Sequence, residues 1–485
     1  MKNILLCCNS MGIGGVETVI LNQVVAFSSK GYNVYVMAEK GEYSSNVEEL
    51  GGNFIEMQFP EENDINKERV EKIVNIIKDK EITEIHIHKY QCIPTMLVAS
   101  FITQTPYFAY EHGVIDTNDY YTWNYSIYKV IFPIYYKNAY KIIAITPKVA
   151  GFTKEKYKID ENKYIIIHNS IDFNNYQNDS PNYDNNIKQV LIVSRLDKDK
   201  LSTIYNGIDA FKTLKKIYPE ATLNIVGGGN AEKEIIEYLN QAELKSTYKD
   251  ENVPVKFLGK QTDIKKYLKN NDLFLGVDRC ALEAIAMKIP VIITGYKGIN
   301  GLVTGENIKI AMEENFSGFN MPSINEEECE KQIINLKENR PKIINEVYEV
   351  AQNNLDCYKN YINIPNNQQL NVDWVDIFEH LKENIDLIEK QSKDIQLKYE
   401  WIQKIEKENT QIVEKNKTIV SENKKLIETK DEMQEKIITK DEEIKMMKKE
   451  IKEIYNSKRW KCFEKVSNIF HKKAKQKWGK KDERK

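Results

Sequence analysis

The sequence is short of several features that would assign it to a class. Its 7 cysteines are an odd number, scattered, with no Cys-x-x-Cys pair, which excludes a disulfide framework and implies a reducing compartment. The longest aliphatic and aromatic run, Val130 to Tyr136, contains Pro133 and is far too short to cross a bilayer. The start, Met1-Lys2-Asn3-Ile4-Leu5-Leu6-Cys7-Cys8, has one Lys, a brief apolar run and no small-residue cleavage site, so no secretory leader is expected and a cytoplasmic location is. Neither charge dominates: 70 Lys and Arg against 72 Asp and Glu leave −2, which argues against a general nucleic-acid binder.

What is present is more specific. A chain of 485 residues with 41% apolar side chains can build two to four cores. Charged residues reach 29%, above the usual quarter, so part of the chain is expected to be non-globular. The charge is also unevenly spread. Residues 456–485 carry 12 Lys and Arg against 3 Asp and Glu, a basic end on an acidic body, which suits an anionic partner surface.

Residues 1–172 alternate β-branched runs with amphipathic helices. Strands read at Asn3–Cys8, Asn33–Ala38, Asn53–Gln58, Glu84–His88, Tyr107–Glu111, Lys141–Ile145 and Lys163–His168. Residues 173–188 are mostly Asn, Asp, Ser, Pro and Tyr, and read as a linker with little to bury. Alternation resumes over 189–372, with strands at Val190–Ser194, Thr222–Val226, Val255–Leu258, Leu273–Leu275 and Val291–Thr294. This pattern predicts an α/β protein of two Rossmann-like parallel sheets facing across a cleft, with ligands at the carboxyl ends of the strands. Cys7 and Cys8 fall inside the first strand as small buried hydrophobes.

Residues 373–455 change to heptads. The a positions run Leu381, Ile388, Ile395, Ile402, Asn409, Asn416, Asn423, Lys430, Ile437, Ile444 and Ile451, and from Ile405 to Ile454 seven of eight d positions are apolar. That register predicts a coiled coil, and three successive Asn at a favour a parallel homodimer.

Residues suited to chemistry cluster at strand ends. Gly12-Ile13-Gly14-Gly15-Val16-Glu17 leads from the first strand into a helix, where free N–H groups favour an anion. It is not the dinucleotide fingerprint, because Glu17 stands where a small residue is needed. Arg195 and Lys200 follow the first strand of the second half, where two fixed cations suit a diphosphate; a solvated basic turn is the alternative. Asp197-Lys198-Asp199 reads as surface rather than as a metal site. Glu283 lies early in a helix, placed to accept hydrogen bonds from a vicinal diol or simply to face the helix dipole.

Six segments then fall in one order. Gly14-Gly15-Val16-Glu17, His168-Asn169-Ser170-Ile171-Asp172, Ser194-Arg195-Leu196 with Lys200, Ile225-Val226-Gly227-Gly228-Gly229, Val255-Lys256-Phe257-Leu258-Gly259, and Leu282-Glu283-Ala284-Ile285-Ala286 with Ile289-Pro290-Val291-Ile292 resemble glycosyltransferase family 4 over about residues 1–360. The resemblance implies a GT-B fold and a retaining hexosyl transfer from a nucleotide-sugar, by default a UDP-sugar, with no cofactor and usually no essential metal. It implies that Arg195 and Lys200 hold the diphosphate, that Gly14, Gly15 and Gly259 border the donor, that Glu283 binds ribose, and that His112 contacts the sugar.

The departures from the family pattern are local. The family's earlier Glu, eight residues before Glu283, falls on Leu275, and the turn Gly276-Val277-Asp278-Arg279-Cys280 is short, with Asp278 or Arg279 as substitutes at the donor sugar. Leu201 and Ser170 replace family glycines. His86 reads as structural, while His88 could border the cleft. The loop after Gly113 holds Asp116, Tyr120 and Trp123, aromatic and acidic groups that suit a sugar acceptor.

In the tail, Trp460, Phe463, Val466, Ile469, Phe470 and Trp478 recur near helical spacing among lysines, which suits an anionic bilayer or a solubilising tail. The expected protein is a dimeric cytoplasmic glycosyltransferase at the inner membrane face, acting on a glycan or lipid-linked acceptor in bacterial surface polysaccharide synthesis. A catalytically inactive coiled-coil scaffold and a protein glycosyltransferase are the alternatives.

Overall fold

The computed structural model describes residues 2–59, 66–114, 126–178, 180–248, 253–261, 263–362, 364, 370, 372–415 and 420–456. Asp116, Tyr120 and Trp123, and the basic tail from 457 onward, lie outside the described residues.

Two seven-stranded sheets organise the chain. The first is parallel throughout, in the order β3-β2-β1-β4-β5-β6-β7. Its strands are β1 (Asn3–Ser10), β2 (Asn33–Glu39), β3 (Asn53–Glu56), β4 (Glu84–Ile87), β5 (Tyr107–Glu111), β6 (Lys141–Ala144) and β7 (Tyr164–Ile166). Central β1 shows why its sequence is continuously apolar: Leu5 and Cys7 enter one core, Ile4, Leu6 and Cys8 the other. The thiols of Cys7 and Cys8 are driven up by burial, as expected of inert core cysteines.

The second sheet comprises β8 (Gln189–Val193), β9 (Thr222–Val226), β10 (Ser246–Thr247), β11 (Val255–Phe257), β12 (Leu273–Gly276), β13 (Val291–Gly295) and β14 (Gly298–Leu302). Its order is β10-β11-β9-β8-β12-β13-β14, with only the β13–β14 pair antiparallel among the described strands. In each sheet the chain reverses direction of growth beside its first strand, at β1/β4 and at β8/β12. Those two switch points are where loops part and a ligand crevice opens.

The stretch read as a polar linker is packed. Phe173, Tyr176 and Ile187 are buried in the core of the second sheet. These three side chains are spaced among polar ones, so composition alone hid them. The chain later crosses back. Helix Glu326–Leu355 packs on the second domain and kinks at Asn339, just before Pro341. Residues Cys357 and Tyr361 then join the core of the first domain. The two crossings touch, with Ile171 N–H donating to Leu355 O at 2.9 Å and Cys357 N–H to Ile171 O at 3.0 Å.

The heptad segment is helical in two pieces, Trp374–Lys415 and Val420–Asn456. They touch each other and the helix Ser126–Asn138, so the second turns back along the first. Ile402 and Ile444, both a positions, are buried within the single chain. Among the described residues no helix is long and apolar enough to cross a membrane.

Candidate functional site

The turn after β8 carries the cations. Arg195 is exposed and forked, Nη1 donating to Asp197 at 2.8 Å and Nη2 to Asp199 at 2.9 Å. The Asp-Lys-Asp segment is therefore the counter-charge of Arg195. The glycine-rich turn after β9 lies against this one so closely that a Cβ on Gly227 would sit 1.8 Å from Ser194 O, and one on Gly229 2.3 Å from Leu196 O. Only glycine allows that approach.

Lys200 closes the same turn. Its Nζ donates to Asp278 Oδ2 at 3.0 Å and to the Tyr296 hydroxyl at 2.6 Å. Burial works against its charge, but Asp278 and Tyr296 outweigh burial and hold the ammonium above its ordinary value.

Asp278 begins the helix Asp278–Ala286 directly after β12, at a left-handed φ of 60°. That conformation is one that Asp tolerates better than most residues. Leu275, the position aligned by spacing with the family's earlier Glu, lies inside β12 and is fully buried in the core. A site carboxylate has no place there. In this short turn Asp278 is the acid that reaches Lys200.

Glu283 lies one helical turn beyond Arg279. Arg279 Nε donates to Glu283 Oε1 at 3.1 Å, and the Tyr176 hydroxyl donates to the same oxygen at 3.1 Å. Burial raises the Glu283 carboxyl, while Arg279 and Tyr176 oppose that rise. Arg279 Nη1 also donates to Ser170 O at 3.3 Å, which takes Asn22 Nδ2 at 2.9 Å from the first domain. The glycine replacement at Ser170 is accommodated, since its hydroxyl accepts from Asn360 at 2.8 Å.

The first domain presents Gly14 and Gly15 at the start of helix Gly15–Ser29. A Cβ on Gly15 would meet nothing within 4 Å, whereas one on Gly14 would lie 2.1 Å from Glu17 Oε2. Glu17 is buried and faces Lys89 Nζ at 3.6 Å. The domains meet where Lys260, next to Gly259, donates to Glu42 at 3.1 Å, and again where Lys148 Nζ lies 3.2 Å from the Phe319 ring centroid. His112 follows β5 and contacts His88, Nδ1 of His88 lying 3.0 Å from Nε2 of His112. Burial, reinforced by Lys89, lowers His112 to about 3, so it is neutral.

Residues 13–175 match Glycosyltransferase Family 4, and residues 187–339 match Glycosyl transferases group 1. The chain belongs to the family 4 glycosyltransferases. An uncharacterized glycosyltransferase of Methanocaldococcus jannaschii is 27% identical over 189 residues, 35% of this chain. The chain spans 44% of the length of that relative. HepE of Anabaena, solved with UDP and glucose, shares the fold at a TM-score of 0.55 and 18% identity, over 75% of this chain and 98% of its own. A glycosyltransferase of Rickettsia africae does so at 0.53 and 16%, over 75% and 99%.

In this family 4 glycosyltransferase the structure brings Lys200, Asp278, Arg279 and Glu283 together at the β8/β12 switch point, with Arg195 at its rim. Gly259, at φ 67°, accepts from Gly227 N–H through its carbonyl at 2.9 Å, tying two of the loops. His86 is the core residue expected, held by Tyr110 at 2.9 Å and Glu84 at 3.4 Å. Sequence reasoning passed over Tyr176 and Tyr296. Both are single tyrosines among 28, and no local pattern marks either.

Proposed function

We propose that this family 4 glycosyltransferase transfers a hexosyl group, with retention, from a nucleotide-sugar to a glycan or lipid-linked acceptor. The observation that carries the reading is the pairing of Lys200, from the turn after β8, with Asp278, from the turn after β12, next to the Arg279–Glu283 pair on the same helix. UDP is the first nucleotide to test, since the fold neighbour HepE was solved with it.

In this reading the donor diphosphate displaces Asp197 and Asp199 from Arg195 and Asp278 from Lys200. Charge builds on the departing phosphate as the glycosidic bond breaks, and cations already in place stabilise that charge more in the transition state than in the bound substrate. The acceptor hydroxyl loses its proton to the leaving phosphate on the same face, so no side chain needs to be a nucleophile. Gly15 N–H borders the phosphates, His112 contacts the sugar, and Asp278 or Arg279 takes the role of the missing earlier Glu. Asp116, Tyr120 and Trp123 are the proposed acceptor contacts.

The cellular setting is proposed as bacterial surface polysaccharide synthesis at the inner face of the membrane, with residues 456–485 on anionic lipid. A second copy is proposed to pair on the outer face of the heptad helices, where Leu397 and Trp401, one turn apart, are 64% and 56% exposed, the a positions Ile402 and Ile444 being buried within the chain. A non-catalytic scaffold is the second reading, favoured by Arg279 occupying Glu283 where ribose would bind.

The test is nucleotide release by the full chain from a panel of UDP- and GDP-sugars. Release from at least one donor, reduced roughly 10²–10³-fold by Lys200→Met, supports transfer. A folded chain that turns over none of them supports the scaffold.

A further inference from the structure

His88, which is buried, and His112, which is partly buried, form an imidazole pair at the carboxyl ends of adjacent strands. Register sets the geometry. Ile87 of β4 pairs with Ala109 of β5, so the next residue, His88, stacks on Tyr110 at a centroid distance of 4.0 Å. His112, two residues further on, stacks on His88 at 5.2 Å. The backbone N–H of His88 donates to Cys7 O at 2.9 Å, which anchors it to central β1. His88 Nδ1 then faces His112 Nε2 at 3.0 Å.

A hydrogen bond between two neutral imidazoles requires one N–H and one bare nitrogen. Two arrangements satisfy it. If His112 donates through Nε2–H, His88 must carry its own proton on Nε2. That atom is buried and has no partner among the described residues. An orphaned buried N–H is the rarer and costlier defect, whereas a bare acceptor without a partner is tolerated more often. If His88 donates through Nδ1–H instead, its Nε2 is the bare atom. The Lys89 ammonium acts on both rings and disfavours further positive character there. Burial and the Lys89 charge keep both rings neutral, and the orphaned N–H of the first arrangement selects the second.

We infer that His88 is a positioning residue: its Nδ1–H fixes His112 as the Nδ1–H tautomer, so that His112 presents a hydrogen-bond donor, not an acceptor, to an oxygen of the ligand in the cleft. His112 is only partly buried, and Nδ1 is its ring nitrogen not engaged by His88. A donor at this place suits a sugar hydroxyl or ring oxygen acting as acceptor. That last step rests on the proposed function; the tautomer does not. Free neutral imidazole prefers Nε2–H, so the pair imposes the less common form.

Long-range ¹H–¹⁵N correlation spectra of the full chain, labelled with ¹⁵N-histidine, read the tautomer directly. His112→Asn assigns the resonance among six histidines. The expected result is a protonated Nδ1 and bare Nε2 on His112, the same on His88, and a change of His112 to Nε2–H in His88→Leu. With a donor in hand, His88→Leu lowers kcat about tenfold at little change in KM, and His88→Asn, whose amide N–H stands near the place of Nδ1–H, recovers most of it. A bare Nδ1 on His112 in the unaltered chain overturns the inference, and this measurement needs no folded variant at position 88. An unchanged His112 tautomer in a folded His88→Leu chain overturns it equally. The expected spectra in a chain that turns over no nucleotide-sugar would support the tautomer and count against the proposed function.

Discussion

Lys200 and Asp278 meet at 3.0 Å although 78 residues separate them, because β8 and β12 are neighbours and each residue follows its strand. Asp278 is thus the counter-ion of Lys200 and, in the proposed function, a contact for the donor sugar. Asp278→Asn keeps a side chain that tolerates the left-handed backbone and removes the charge. It should tighten UDP binding by about two- to fivefold, as expected for a partly exposed pair. It should lower turnover of the sugar nucleotide at the same time. Calorimetry and a nucleotide-release assay on one preparation read both effects.

Glu283 accepts from Arg279 and Tyr176 through one oxygen. If its carboxylate also holds the ribose diol, 2′-deoxy-UDP should bind roughly 10- to 150-fold more weakly than UDP, the cost of one charge-assisted hydrogen bond. Glu283→Gln should erase most of that difference. Two fully additive losses would show that the diol and Glu283 do not meet.

Leu275 is fully buried in β12. Restoring the family's earlier acid there, Leu275→Glu, should therefore destabilise the fold by about 3 kcal/mol or more, because a charge would enter an apolar core without a partner. Chemical denaturation measures it. A stable, more active variant would show that the site acid belongs at 275 and not at 278.

Glu111 is buried next to His112, and burial raises its carboxyl from 4.5 to about 8 against the opposing pull of Thr153 and Tyr136. Between about pH 4.5 and pH 8 the folded chain keeps a proton that the unfolded chain releases, so stability falls as pH rises through that window. Buried neutral His86, His88 and His112 act in the opposite direction, losing stability as pH falls below 6.5. The comparison of Tm against pH for the unaltered chain and Glu111→Gln isolates the carboxyl. The variant should lose less stability between about pH 5 and 8.

Much of this was legible because apolar runs and strand ends are local features. The expected strands agree with the observed ones to within about two residues, since parallel strands buried on both faces are written as unbroken aliphatic stretches. β14 was missed: Gly298-Ile299-Asn300-Gly301-Leu302 is rich in glycine and pairs only because β13 is there. The cations and Glu283 could be located from their strands and helices. Two of their partners could not, because Tyr176 reaches the site from the chain crossing and Tyr296 from the turn between β13 and β14, placements that spacing does not encode. The heptads foretold helix but not the return of one helix along the other, where both also touch the helix Ser126–Asn138. Leu275, where counting back from Glu283 places the family's earlier Glu, lies in β12 as the strand reading over Leu273–Leu275 expects.

The most direct measurement is calorimetric titration of the full chain with UDP and GDP, repeated on Arg195→Ala and Lys200→Met. The account predicts saturable binding of at least one nucleotide, weakened in each variant by about 1.5–3 kcal/mol, with folding unchanged. A folded chain that binds neither nucleotide, or binds one equally well without Lys200, would contradict the donor cleft at the β8/β12 switch point.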